Sequence, residues 1–201
     1  MDNITREDWL NNAVIELRPI FKSVGFPLPD NIRVTCGFPS RHARSLNRAI
    51  GEHWTNRASS DATHEILISP VVDDPFEVFG ILVHELAHSA TDGDGHKGRF
   101  PKLVKDLWLE GKPTATVVGE RFRENFSELV ESLGNYPHGQ LNVRADRKTQ
   151  STRMLKAVCT TCVEYDGSGG IKSQYVIRLS DKWAKLGLPT CVCGTRFTLS
   201  K

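Results

Sequence analysis

Residues 74–100 read DPFEVFGILVHELAHSATDGDGHKGRF, and this stretch carries both the fold and the chemistry. Asp74 can cap a helix. Pro75 suits the first helical position, where no N–H is needed, and Glu77 stands where a capping-box acid belongs. Phe76, Val78, Phe79, Ile81, Leu82, Val83, Leu86 and Ala87 follow, so the spacing predicts a helix to about Thr91 that is apolar on most sides and therefore buried. The run Asp92-Gly93-Asp94-Gly95 then breaks it and turns the chain.

Within this helix lies His84-Glu85-Leu86-Ala87-His88. Residues four apart share a helix face, so the two imidazoles can bind one ion, and Glu85 beside that face can reach a water on the metal without being a ligand. The bland alternative is two hydrogen-bonded core histidines and a surface glutamate. Burying two imidazoles and a carboxylate in one apolar helix is costly unless something satisfies them, and a metal does so. A catalytic zinc ion takes three protein ligands and keeps a fourth position open. His96, just past the glycine turn, is the preferred third ligand, because the turn can bring it back over the metal; Glu120, Glu124, Glu128 and Glu131 on a later helix are its rivals. Zinc would acidify a bound water and polarise a carbonyl, with Glu85 as general base. No oxyanion stabiliser besides zinc is identifiable. His138 and Tyr136 are polar groups near the end of this region and read more simply as structural. His42, His53 and His64 lie in or beside strand-like runs and need no metal, and Cys36 reads as a small buried side chain.

Outward from this centre, Ile4, Leu10, Val14, Leu17, Ile20, Phe21 and Val24 predict a helix over 4–24, stopped by Gly25, Pro27 and Pro29. Strand-like runs follow at 32–38, about 49–54 and 64–69. Beyond the central stretch the pattern predicts a helix over about 98–109, a short strand or loop over 114–118, and a helix over about 120–133 with Phe122, Phe126, Leu129, Val130 and Leu133 on one face. No internal repeat or low-complexity segment is present. Residues 1–141 thus read as one domain. Residues 142–156, with five basic residues and few apolar ones, read as a linker, and 157–201 as a small module with strand-like 175–179 at its middle.

The module carries Cys159-Thr160-Thr161-Cys162 and Cys191-Val192-Cys193. The first pair is a good half of a zinc site. The second has one intervening residue, a tighter geometry, and lies farther along than is common. Four Cys in so short a segment favour a structural four-cysteine zinc site, since a module this small gains stability from a metal; free cysteines or a redox dithiol are the alternatives. Charge divides unevenly. Residues 140–201 hold 11 Lys and Arg against 4 Asp and Glu, whereas residues 1–139 hold 15 against 20, beneath a net charge of only +2. The basic end can face solvent or meet a polyanion such as DNA, and no aromatic-rich stripe tips the balance. The N-terminus lacks the basic start and apolar run of a signal peptide, and no stretch suits a membrane span, so a cytoplasmic location with reduced thiols is expected. At 201 residues and 39% apolar, the chain suits one enzyme-sized domain with an appendage.

The segment HELAHSATDGDGHKGRFPKLVKDL (84–107) resembles the active-site helix and third-ligand loop of the SprT-like family, which includes the Spartan proteases. The family's HExxH, its Gly-His after a short loop and its helix starting near a Phe correspond here to His84–His88, Gly95-His96 and Phe100. Residues 65–70, EILISP, resemble the family's edge strand leading into that helix. TRMLK (152–156) with the first Cys pair, and GLPTCVCG (187–194), look most like SprT-like proteins of bacteriophages and actinobacteria. The resemblance covers about residues 30–140 and 150–201. It implies a zincin-type α+β fold with a small mixed or antiparallel sheet packed on helices, zinc-dependent peptide hydrolysis and a C-terminal zinc ribbon. For Spartan it further implies cleavage of proteins crosslinked to DNA, hence DNA–protein crosslink repair. An alternative of another class is a non-enzymatic nucleic-acid or protein adaptor in which both zinc ions are structural. An intact Glu85 argues for the enzyme.

Overall fold

The structure, a computed structural model, describes residues 4–40, 48–143, 145 and 154–200. It has two units, Met1–Ala145 and Asp146–Lys201. Most of the linker expected over 142–156, with Arg144, Arg147, Lys148 and Arg153, lies outside the described residues, as does His42. The architecture is mixed α and β, with three small sheets and five α-helices among the described residues.

In the first unit, helix α1 (Arg6–Ser23) starts at Thr5, whose hydroxyl accepts from the Asp8 N–H while the Asp8 carboxylate accepts from the Thr5 N–H, a closed capping box. Its apolar face buries Trp9, Leu10, Ala13, Val14, Leu17 and Phe21. Strands β1 (Ile32–Cys36), β2 (Gly51–Trp54) and β3 (His64–Ile68) form one sheet in the order β1-β3-β2, with β1 parallel and β2 antiparallel to β3. The resemblance places residues 65–70 on an edge strand; here β3 is the central strand instead. Its alternation is clean, with His64, Ile66 and Ile68 buried. Alternation encodes which face is covered, not which strands lie alongside, so nothing in those residues distinguishes edge from centre.

Helix α2 (Pro75–Ala90) begins as read: Asp74 accepts from the Glu77 N–H at 2.9 Å and Pro75 opens the first turn. It packs against α1, against β2 and β3, and against the later elements α3 (Phe100–Asp106), β5 (Ala115–Val117) and α4 (Glu120–Leu133). Such a position requires the nearly all-round apolar surface of this helix, on which Val78, Phe79, Leu82, Val83, Leu86 and Ala87 are fully buried. Phe79 meets Trp9, Phe122 and Phe126 edge-on, with centroids 6.4, 6.0 and 5.1 Å away. Helix α3 is shorter than the 98–109 expected. Gly98 has φ +53°, outside the right-handed helical region, so the helix cannot start there. Within the 114–118 read as a short strand or loop, β5 forms the second strand of a hairpin, pairing antiparallel with β4 (Glu110–Lys112). Gly80 of α2 has no room for a side chain, because Val118, just after β5, lies where its Cβ would be.

In the second unit, β6 (Leu155–Tyr165) lies between β7 (Ile171–Leu179) and β8 (Thr198–Ser200), antiparallel to both, with a short helix α5 (Asp181–Leu186) after β7. The strand at 175–179 is thus part of a longer one. Strand β6 begins at Leu155, inside the segment read as linker.

Phe79→Ala should test how far the first unit depends on α2. Deleting a fully buried ring that touches three aromatic neighbours is expected to destabilise it by about 3–5 kcal/mol in chemical denaturation.

Candidate metal centres

His84 and His88 lie one turn apart on α2 and are half-buried, and Glu85 between them is only 7% exposed. The helix ends at Thr91, whose hydroxyl donates back to the Ala87 carbonyl at 2.8 Å. Gly93 and Gly95 then take φ +91° and +56°, values that suit glycine, and the chain reverses. The Asp94 carboxylate fixes the reversal by accepting from the Arg99 N–H at 2.9 Å and from Arg99 Nε at 2.8 Å. Asp92 is tied to Arg57 at 3.1 Å.

This loop brings His96 back over α2. His88 Nε2 and His96 Nε2 are 3.2 Å apart, and one ring nitrogen from each of His84, His88 and His96 lies within 4.8 Å of the others. A tetrahedral ion with metal–nitrogen bonds of about 2.0–2.1 Å sets its ligands roughly 3.3 Å apart, so the three histidines could hold a metal ion. Phe100 closes one side, stacked on His88 at 4.2 Å and edge-on to His84 and His96. The rival ligands Glu120, Glu124, Glu128 and Glu131 are all exposed on α4 and join no such group.

Burial sets the protonation of the group. It pushes His84 down to about 4, with His96 adding to the effect, and His88 down to about 3, with His84, His96 and His53 adding. Burial lowers His96 as well. The imidazoles are therefore neutral near pH 7, as ligands must be. Glu85 moves the opposite way, up to about 8, chiefly by burial and then through Glu52.

Several contributors were not legible as such. A Cβ on Gly51 of β2 would overlap Glu85 Oε1 and come 2.7 Å from Ile81 Cγ2, so glycine permits this close approach and a side chain there would push the carboxylate aside. Thr116 Oγ1 of β5 is 2.8 Å from His84 Nδ1. His53, read as needing no metal, stacks parallel to His88 at 6.1 Å and bonds through Nε2 to Nδ1 of buried His64 at 2.9 Å. Two strand positions of equal face parity, 51 and 53, thus meet the helix at Glu85 and His88. That parity is the one signal that could have found them. Tyr136 is buried against Trp9, its ring beside the Arg6 guanidinium, and serves the core. His138 is exposed. Cys36 is half-buried, with Arg6 Nη1 3.5 Å from its sulfur.

In the second unit the sulfurs of Cys159, Cys162, Cys191 and Cys193 come together. Cys159 and Cys193 are 3.5 Å apart, Cys162 and Cys191 3.7 Å, and all four lie within 4.8 Å of one another. A tetrahedral ion with metal–sulfur bonds of about 2.3 Å requires roughly 3.8 Å, so these thiolates could also hold a metal ion. The Cys-x-Cys spacing works because Gly194, at φ +85°, closes a tight turn in which the Cys191 N–H donates to the Thr195 carbonyl at 2.8 Å. The buried core here is Ala157, Cys159, Cys191 and Phe197, so half of it consists of candidate ligands.

No family model, curated protein or solved structure matches the chain at a significant level. Among the described residues, no helix is long and apolar enough to cross a membrane.

Two outcomes test these centres. Folding favours the protonated form of Glu85, so the stability tied to it is full below about 4.5 and lost as pH rises through about 8. In chelator-treated protein, Glu85→Gln should therefore match wild type near pH 4–5 and exceed it by more than about 1 kcal/mol at pH 8–9 in urea unfolding. Cys162→Ser should melt the second unit, seen as loss of its amide protection in hydrogen exchange, while protection of α2 persists.

Proposed function

We propose that this protein is a zinc-dependent endopeptidase of the SprT-like, zincin type, acting on protein substrates associated with or crosslinked to DNA. The observation that carries the reading is the convergence of three neutral imidazoles beside a buried carboxylate on the same helix. The buried helix bearing His84–His88 packs on a three-stranded sheet, which supports this reading. His84, His88 and His96 are three ligands, which suits a zinc ion with a position left for water or substrate. A zinc ion held there would supply the Lewis acid that polarises the scissile carbonyl and acidifies the attacking water.

Glu85 is the general base. Its carboxylate, pressed against the Gly51 backbone, accepts the proton of the attacking water and passes it to the leaving amine. Burial holds Glu85 toward its protonated form, and a dication beside it works against that preference, so the group can exchange a proton in the physiological range. The four thiolates hold a second, structural zinc ion, closed to chemistry, in a ribbon-like module.

DNA enters through that module. Tyr165, Tyr175 and Trp183 are exposed there, with exposed Lys172, Arg178 and Lys182 in the same unit, and Lys182 Nζ sits 5.5 Å over the Trp183 ring. A ring paired with a cation, as at Trp183 and Lys182, suits stacking on unpaired bases. The same surface would serve the non-enzymatic adaptor, in which Glu85 has no task.

The test is cleavage of a DNA-bound protein and self-cleavage, with and without single-stranded DNA, alongside zinc content. Wild type should cut. Glu85→Gln should hold about two zinc ions per chain and lose activity by about 100-fold or more. Gly51→Ala, which drives a Cβ into the carboxylate, should lower kcat by about 100-fold with zinc retained. Wild type and Glu85→Gln that both hold zinc and are equally inert would leave the adaptor as the function.

A further inference from the structure

We infer that Thr116 is the positioning residue of the histidine centre, selecting the tautomer in which His84 can bind a metal ion. The inference rests on the reading of His84, His88 and His96 as a metal centre. An imidazole that offers the lone pair of one nitrogen carries its proton on the other, and in a half-buried site that N–H needs an acceptor. Thr116 Oγ1 stands 2.8 Å from His84 Nδ1, which leaves Nε2 for the ion. The ring's other neighbours are Phe100, 5.0 Å away, which offers no acceptor, and the His88 and His96 imidazoles, 5.0 and 5.5 Å away, which belong to the same centre.

The hairpin is held so that this contact forms. On β5 only Thr116 is half-buried, between exposed Ala115 and Val117, so alternation turns that one side chain inward. One turn before His84 on the same face of α2, Gly80 lets Val118 come into the space of its missing Cβ. The hairpin is therefore located sterically at residue 80 and by a polar contact at residue 84. A hydroxyl, unlike a carboxylate, adds no negative charge behind the ligand, so an ion bound there keeps its full pull on water and carbonyl.

The test is a cobalt(II) titration of the full chain, with the histidine centre followed by its paramagnetically shifted imidazole N–H proton signals and the cysteine centre by ultraviolet thiolate charge transfer, which the imidazole site lacks. Thr116→Val keeps the shape and removes the acceptor; Thr116→Ser keeps the hydroxyl and loses the methyl. Thr116→Val should bind cobalt at the histidine centre about 10-fold or more weakly, and Thr116→Ser should stay within about 3-fold of wild type. The thiolate bands should be unchanged in both. A second readout, the ring nitrogen signals of His84 in NMR, should show the proton on Nδ1 in wild type and in the Ser variant and a mixture of tautomers in the Val variant. Should Thr116→Val not fold, Thr116→Ala makes the same comparison. A purely structural role predicts the reverse order, with Ser worse than Val. Equal affinity in wild type and Thr116→Val, or equal weakness in both variants, overturns the inference alone. Thiolate bands without any histidine-centre signal in wild type overturn the metal-centre reading and the inference together.

Discussion

Everything in the first unit answers to one constraint: three imidazole nitrogens and one carboxylate must share a space from which the fold excludes most water. Burial, helped by neighbouring charges, drives these groups to their uncharged forms, the histidines by losing affinity for a proton and Glu85 by holding one. A dication exploits the first preference and reverses the second, because it takes the lone pairs of neutral imidazoles and favours the ionised carboxylate. The apolar helix is what makes the reversal strong. In water the same residues would gain little from meeting, whereas behind Phe100 each electrostatic contact is worth more.

Close approach is achieved by leaving side chains out. Gly51 lets a strand backbone lie against the Glu85 carboxylate, and Gly80 lets the hairpin descend onto the helix one turn before His84. The glycines of the 92–98 loop serve differently: they supply positive φ values, and Asp94 then locks the resulting path to Arg99. Two kinds of glycine thus build one site, some for space and some for backbone angle.

The strongest features of the sequence were the local ones. The helix at 75–90, its cap at Asp74, the helix at 120–133 and the three strand runs all follow from capping chemistry and periodicity, and each forms nearly where the pattern places it. The gathering of His84, His88 and His96, and of the four cysteines, was legible because short spacings leave few geometries open. What was not legible depends on partners distant in sequence. Nothing local marks Thr116 as the neighbour of His84, or His53 as the ring over His88, since those pairings follow from how strands and helix are layered. Strand order failed for the same reason, as the pattern of β3 would be identical at an edge. The early start of β6 was hidden by the basic residues before it, which made Leu155 and Lys156 look like linker.

The two candidate centres differ in the one respect that separates structure from chemistry. Four thiolates would complete a tetrahedron around an ion, and closure there would stabilise a unit whose buried cluster is half cysteine. Three imidazoles would not complete one, and the first unit has a large aromatic and aliphatic core of its own. An ion that the fold does not need for stability, beside a carboxylate whose burial carries a penalty, is hard to account for as scaffold. The pairing makes sense where the carboxylate must be close to a water and unhydrated until that water arrives. Gly51 secures that condition: by admitting the strand so close, it denies the carboxylate its ordinary solvent. On the proposed reading, the same feature that would be a fault in a structural site is what a general base requires.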